Sequence, residues 1–168
     1  FEYFEAAESG SPAADYWLGL CYMNGLGTDE DPVKGFELLK QAGDHEDPLA
    51  LCALGACFEN GIGTEPDMKE AVFCYTAAMD RGSVEAAFQL AELYFLGSGV
   101  ERDDQKALEL YRKAAEGGDH RALFMLGFCF ETGAGVEQDP EKAAAFYREA
   151  AQKGVPEANC FLGVRYFN

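Results

Sequence analysis

The sequence predicts an all-α fold, an α/α superhelical solenoid of 36-residue helix-turn-helix repeats, and three observations predict it. The first is a fixed period. The pairs Leu18-Gly19, Leu54-Gly55, Leu90-Ala91, Leu126-Gly127 and Leu162-Gly163 recur every 36 residues, as do Tyr22, Phe58, Tyr94, Phe130 and Tyr166. Such self-similarity, uninterrupted by insertions, marks stacked supersecondary units. The second is punctuation, with capping residues where helices should begin and G-x-G where the leading helices should end. The third is the lack of any alternating strand pattern.

The elements follow in order. Residues 1–10 hold the phases of a second helix without its mate, Tyr3 matching Tyr111 and Ala6 matching Ala114. Four whole units cover 11–46, 47–82, 83–118 and 119–154, and 155–168 is a first helix alone. Ser11, Asp47, Ser83 and Asp119 supply capping oxygens for the first helices, with Pro12 and Pro48 at the first helical position. Val155-Pro156 keeps the proline without the cap. Gly25, Gly61, Gly97 and Gly133, each with a second glycine two residues on, end these helices because glycine tolerates positive φ. Asp31, Asp67, Asp103 and Asp139 then cap the second helices, and Glu70 three residues after Asp67 approaches a capping box. The 168 residues thus read as one repeat domain with a half unit at each end. A half unit leaves an apolar face uncovered, so the parent protein is expected to continue beyond one or both ends.

Composition bounds the partners. Thirty acidic residues against thirteen basic ones give a net charge of −17, and 48 % of residues are apolar, so the chain folds and is not a solvated acidic tail. That charge repels phosphate backbones and anionic lipid surfaces, and no apolar run approaches the roughly 20 residues that span a bilayer. Nucleic acid and membrane insertion are not expected as partners, and basic proteins are favoured. The charge is graded, from −5 in 11–46 to −2 in 119–154 and 0 in 155–168.

The pattern resembles the Sel1-like repeat family, an α/α solenoid related in shape to tetratricopeptide repeats. Unit 119–154 carries the resemblance most fully: Leu126-Gly127, Phe130, Gly133, Gly135-Val136, Asp139, Lys142-Ala143, Tyr147, Ala150-Ala151 and Gly154. Departures occur at Ala91, where Gly is expected, and at Gly35, Leu39 and Glu46, where the family has Ala, Tyr and Gly. The resemblance covers nearly the whole chain. It implies an adaptor that holds other proteins together.

A helix turns about 100° per residue. On the first helix of unit 47–82, Leu54, Cys57 and Phe58 share a face with Ala50, and this is the expected core stripe. Gly55 sits to one side, where a neighbouring helix can approach closely. The opposite face, which by resemblance to related solenoids lines a concave groove, holds Cys52, Glu59 and Asn60. In unit 11–46 it holds Tyr16, Leu20, Met23 and Asn24. In the next two units it holds Phe88, Glu92 and Phe95, then Arg121, Phe124, Phe128 and Glu131. A face without a task should be polar, and contiguous apolar area marks interaction sites. Tyr16, Phe88, Phe95, Phe124 and Phe128 are the expected anchors; Glu59, Glu92 and Glu131 are expected to set a preference for Lys or Arg. Asn24 and Asn60 either clamp a partner backbone, as the resemblance suggests, or simply help end a helix.

No constellation for catalysis emerges. His45 and His120 lie in different units near inter-helix turns and form no H-E-x-x-H pair. The six cysteines lack C-x-x-C spacing, and secreted cysteine-rich relatives carry cysteines where this chain has Ala78, Ala114, Ala150 and Ala50, Ala86, Ala122. The cysteines therefore read as small buried hydrophobes of a reducing, cytoplasmic compartment. No cofactor, metal or catalytic residue is expected. The chain reads as a non-enzymatic protein-protein interaction module, an adaptor or scaffold binding a segment with apolar and basic side chains. Two alternatives stay open: a hydrolase acting on a cell-wall or peptide substrate, and a structural array that self-associates through its aromatic face.

Overall fold

A computed structural model of the chain describes residues 11–166, with side chains through Leu162. The half unit expected over 1–10 lies outside the described residues. The helices are α1 (Pro12–Asn24), α2 (Pro32–Asp44), α3 (Pro48–Asn60), α4 (Met68–Asp80), α5 (Val84–Leu96), α6 (Asp104–Glu116), α7 (His120–Thr132), α8 (Pro140–Gln152) and α9 (Pro156–Tyr166). No strand occurs among the described residues. The helices fall into two compact units, one ending at Ala86 and one beginning at Ala87.

The helices begin where capping chemistry dictates. Asp47 Oδ1 accepts the amides of Leu49 and Ala50, both at 2.9 Å. Asp31, Asp103 and Asp139 accept the amides of Lys34, Lys106 and Lys142, and Asp67 accepts those of Lys69 and Glu70. Ser83 and Asp119 cap α5 and α7 in the same way. Each such bond satisfies an orphan amide and contributes about 1 kcal/mol. Ser11 departs from expectation. It is extended ahead of Pro12, but its hydroxyl makes no capping bond, so proline alone sets that helix start. His120, expected in a turn, is the first residue of α7.

One loop is built four times. The amides of Leu26, Ile62, Ser98 and Ala134 return to the carbonyls of Cys21, Cys57, Leu93 and Cys129. This Schellman closure needs the left-handed glycine before each of them. The amides of Asp31, Asp67, Asp103 and Asp139 then reach the carbonyls of Tyr22, Phe58, Tyr94 and Phe130 at 2.8–3.0 Å. Each second helix is thereby pinned to the aromatic of its own first helix. Lys34 and Lys106 tighten the join, each ammonium donating to the Tyr22 or Tyr94 hydroxyl at 2.7 Å. In the second and fourth repeats the second glycine of the loop is fixed by crowding. A Cβ at Gly63 would lie 2.1 Å from the Pro32 carbonyl oxygen, and one at Gly135 would lie 2.3 Å from that of Asp104.

The expected stripe is the core: Ala50, Leu54 and Cys57 are buried, with Phe58 half-buried beside them. Fully buried alanines on both helices of the hairpins, such as Ala50, Ala78, Ala86 and Ala114, let backbones approach closely. The departures of the first repeat have local causes. A Cβ at Gly35 would meet Met23 at 2.6 Å, so this glycine makes room for a side chain from α1. Glu46 keeps the left-handed turn of the glycines it replaces, at φ 62°, although it has a side chain.

Candidate functional site

In the second compact unit, α5 and α7 present their aromatic residues side by side. Phe88 packs on Tyr111 of α6, with ring centroids 5.8 Å apart, and Phe124 packs on Tyr147 of α8 at 5.3 Å. Phe95 meets Phe128 across the two helices at 6.0 Å, edge to face. All four phenylalanines are half-buried. Two arginines of the chain lie on this surface: Arg121 stacks over Phe88 at 4.3 Å and Arg102 over Phe95 at 5.5 Å. Asp119 holds Arg121, and Asp104 holds Arg102. Between the ends of the helices is a depression of about 400 Å³, lined by Phe95, Leu96, Arg102, Phe128, Thr132 and Ala134. Leu96 is 67 % exposed beside it.

The glutamates expected on this face have a partner that the sequence reading missed. Tyr75, Tyr111 and Tyr147, all essentially inaccessible, donate their hydroxyls to Glu59 (2.8 Å), Glu92 and Glu131 (2.7 Å). Each buried phenol is thus satisfied by a half-buried carboxylate of the first helix in its own repeat. Burial and then the glutamate raise the hydroxyl pKa of Tyr75 and Tyr111 well above the ordinary value. The geometry also explains the glycine beside the core stripe. A Cβ at Gly55 would lie 2.6 Å from the Tyr75 ring, and one at Gly127 would lie 2.7 Å from that of Tyr147. In the third repeat Glu and Phe exchange turns: Glu92 and Phe95 stand where the fourth repeat has Phe128 and Glu131. The first repeat has Leu39 at the tyrosine position, with Leu20 and Met23 in place of a glutamate. Tyrosine and glutamate therefore occur together or not at all among the four repeats, a signal that comparison of repeats could have shown.

The first compact unit divides its candidate residues differently. Tyr16 and Met23 pack against the buried cluster of Leu39, Leu54, Cys57 and Cys74. The Cys57 thiol meets the Met23 sulfur at 3.9 Å. These two therefore serve the core as well as the surface, because Leu39 is shorter than the tyrosine of the other repeats. Leu20, Cys52 and Glu59 are half-buried. Asn24 and Asn60 are exposed, and each amide donates to the carbonyl four residues back, Leu20 at 2.8 Å and Ala56 at 2.9 Å. That is helix-ending geometry. Thr132 does the same with Phe128.

All six cysteines are free thiols. Burial pushes Cys57, Cys74 and Cys129 up to about 11, which keeps them protonated at neutral pH. Among the described residues no three His, Cys, Asp or Glu side chains gather as a metal site, and no helix is long and apolar enough to cross a membrane.

Comparison with known proteins places this architecture. The model of the Sel1 repeat matches residues 12–47, 48–83, 84–119 and 120–155, one residue later than the frame read from the sequence. A Sel1 repeat protein from Oxalobacter formigenes is 33 % identical, with a TM-score of 0.87 over 91 % of this chain and 61 % of that one. A protective antigen of uropathogenic Escherichia coli displaying an SLR fold is 30 % identical, with a TM-score of 0.89 over 96 % of this chain and 35 % of that one. An immunity protein from Pseudomonas aeruginosa is 25 % identical, with a TM-score of 0.62 over 93 % of this chain and 58 % of that one. This chain thus spans less than two thirds of the length of these three structures. No curated protein matches the sequence. With four matched repeats spaced 36 residues apart, the chain belongs to the Sel1 repeat family.

Proposed function

We propose that the α5/α7 face captures a segment of another protein carrying apolar and basic side chains. One observation carries the reading: Phe88, Phe95, Phe124 and Phe128 stay half-exposed even though each packs on a neighbouring ring. Contiguous apolar area of this kind on a surface marks interaction sites. Sel1 repeat proteins generally mediate protein-protein interaction, and the family is typically a non-enzymatic scaffold. The depression at Phe95 and Phe128 suits an aliphatic or aromatic anchor. Glu92 and Glu131 supply the charge. Each is held in place by the hydroxyl of its buried tyrosine, which fixes where that charge is presented. The working compartment in this reading is reducing and cytoplasmic.

Panning a random-peptide phage library on the immobilised chain tests the reading. Enriched peptides should combine apolar residues with Lys or Arg. Replacing Phe95 and Phe128 together by Ala should weaken them at least about tenfold with helix content unchanged. Enrichment without basic residues, or binding indifferent to the double substitution, would refute it.

A further inference from the structure

We infer that the seam between α2, α3 and α4 is a second docking surface, and that its occupant is a protein segment presenting an aromatic side chain next to a lysine or arginine. The seam is a cleft of about 570 Å³, with Phe36, Leu54, Phe58 and Cys74 on its floor and walls. Its α3 lining is Leu51, Leu54 and Phe58, and not the opposite face of that helix with Cys52 and Glu59. Its volume is in the range of ligand sites that take a few side chains or a small molecule.

The chain itself shows what fills such a seam. The matching positions two repeats later are those of α6, α7 and α8. There Phe146 stands where Cys74 stands, and Ala115 where Gly43 stands. The Phe146 ring stacks on Phe130 at 5.6 Å, 14° from parallel, and packs with Ala115 on the buried cluster around Leu123. In the open seam Phe58 takes the place of Phe130 but has only a cysteine opposite it on α4. Phe36, which stands where the filled seam has Leu108, returns a ring to the seam but approaches Phe58 edge-on at 5.3 Å and 88°, so it does not take the stacked position. The missing piece is therefore a flat ring over Phe58.

Two further substitutions among the repeats mark the rim. Phe73 is 68 % exposed at the edge of the cleft, where the sister repeats carry Glu37, Glu109 and Ala145. This repeat thus exposes an aromatic at a position that is acidic or small in the others. Charge also inverts. In the filled seam Lys142 lies over Phe130, 5.5 Å from its centroid. In the open seam that position is Glu70, and Asp44 joins it at the rim against Lys40. An incoming ring with an adjacent cation would restore both the stack and the missing charge. The net charge of −17 would draw such a segment in.

The experiment uses the full chain, isotope-labelled, and three blocked dipeptide amides: Phe-Lys, Ala-Lys and Phe-Glu. The Phe-Lys probe should shift the amides of Phe58, Glu70 and Cys74 saturably, and the other two should bind at least about tenfold more weakly. Cys74→Phe should fill the seam, raise Tm and abolish Phe-Lys binding. Glu70→Lys, at an exposed position, should reverse the preference toward Phe-Glu, and it decides the matter alone if Cys74→Phe fails to fold. Equal binding of Phe-Lys and Ala-Lys, unchanged binding by folded Cys74→Phe, or a lysine preference that survives Glu70→Lys would each overturn the proposal. So would self-association that Cys74→Phe abolishes, because the occupant would then be a second copy. The substitutions of Phe95 and Phe128 touch none of these residues, so the two docking surfaces succeed or fail separately.

Discussion

Removing the Tyr75 hydroxyl is the sharpest perturbation that the fold offers. Tyr75 is 1 % exposed, and its hydroxyl donates to Glu59 at 2.8 Å. A hydrogen bond to a charged acceptor contributes about 1.5–3 kcal/mol. Glu59 is only half-buried, so water partly replaces the lost donor in Tyr75→Phe, and the lower end, about 1.5 kcal/mol, is expected. Glu59→Ala is worse, because it strands a buried hydroxyl; about 2 kcal/mol is expected. The double variant should cost less than the two single effects added, with a coupling of about 1–2 kcal/mol. Urea denaturation followed by circular dichroism reads each corner of the cycle, and Tm should fall by about 2–4 °C per kcal/mol for a chain of this length. A coupling within about 0.3 kcal/mol of zero would refute the claim that this pair closes the hairpin.

Four other outcomes follow from the same geometry. Stability should decline as pH rises above about 10, where tyrosines of the unfolded chain ionise. Tyr75 and Tyr111 stay protonated in the fold, so the folded state holds the extra protons and loses ground with rising pH; an unchanged Tm between pH 9 and 11 (conditions about one unit either side of that value) would contradict this. Glu46→Gly should stabilise by about 1 kcal/mol in the same urea assay, because it relieves a left-handed backbone at φ 62° and loses only an exposed ion pair to Arg81. Gly63→Ala should destabilise far more than Gly27→Ala: both glycines have positive φ, but only the first has a carbonyl 2.1 Å from the new Cβ. Thiol labelling in native buffer should modify exposed Cys160 first and reach Cys57, Cys74 and Cys129 only after unfolding, while intact mass without reductant should correspond to six free cysteines.

Most of the fold was legible because it is local. Helix starts at Asp47 or Asp103 and helix ends at Gly61 or Gly133 depend on atoms within a few residues, and the sequence displays them directly. Ser11 is the exception: its neighbour proline sufficed, and the hydroxyl was never needed. The candidate face was legible only as a phase. Periodicity assigns Phe88 and Phe124 to one side of their helices, but it does not say how far the next helix leans over them. Tyr111 and Tyr147 supply that cover. The glutamates were visible as surface charge and not as partners of buried phenols, because the pairing crosses a loop between two helices. The seam beside Cys74 was hidden for another reason. A small apolar residue in a core position looks like ordinary packing until its counterpart, Phe146, shows the stacked ring that it lacks.

The interchange of Glu92 and Phe95 with Phe128 and Glu131 has a consequence for how such chains diversify. A phenol locked inside the hairpin accepts help from either of two successive turns. Whichever turn is excused is at liberty to vary. Neighbouring copies can therefore display different outward chemistry on an unaltered chassis, and new tastes in partners can be acquired without renegotiating the interior.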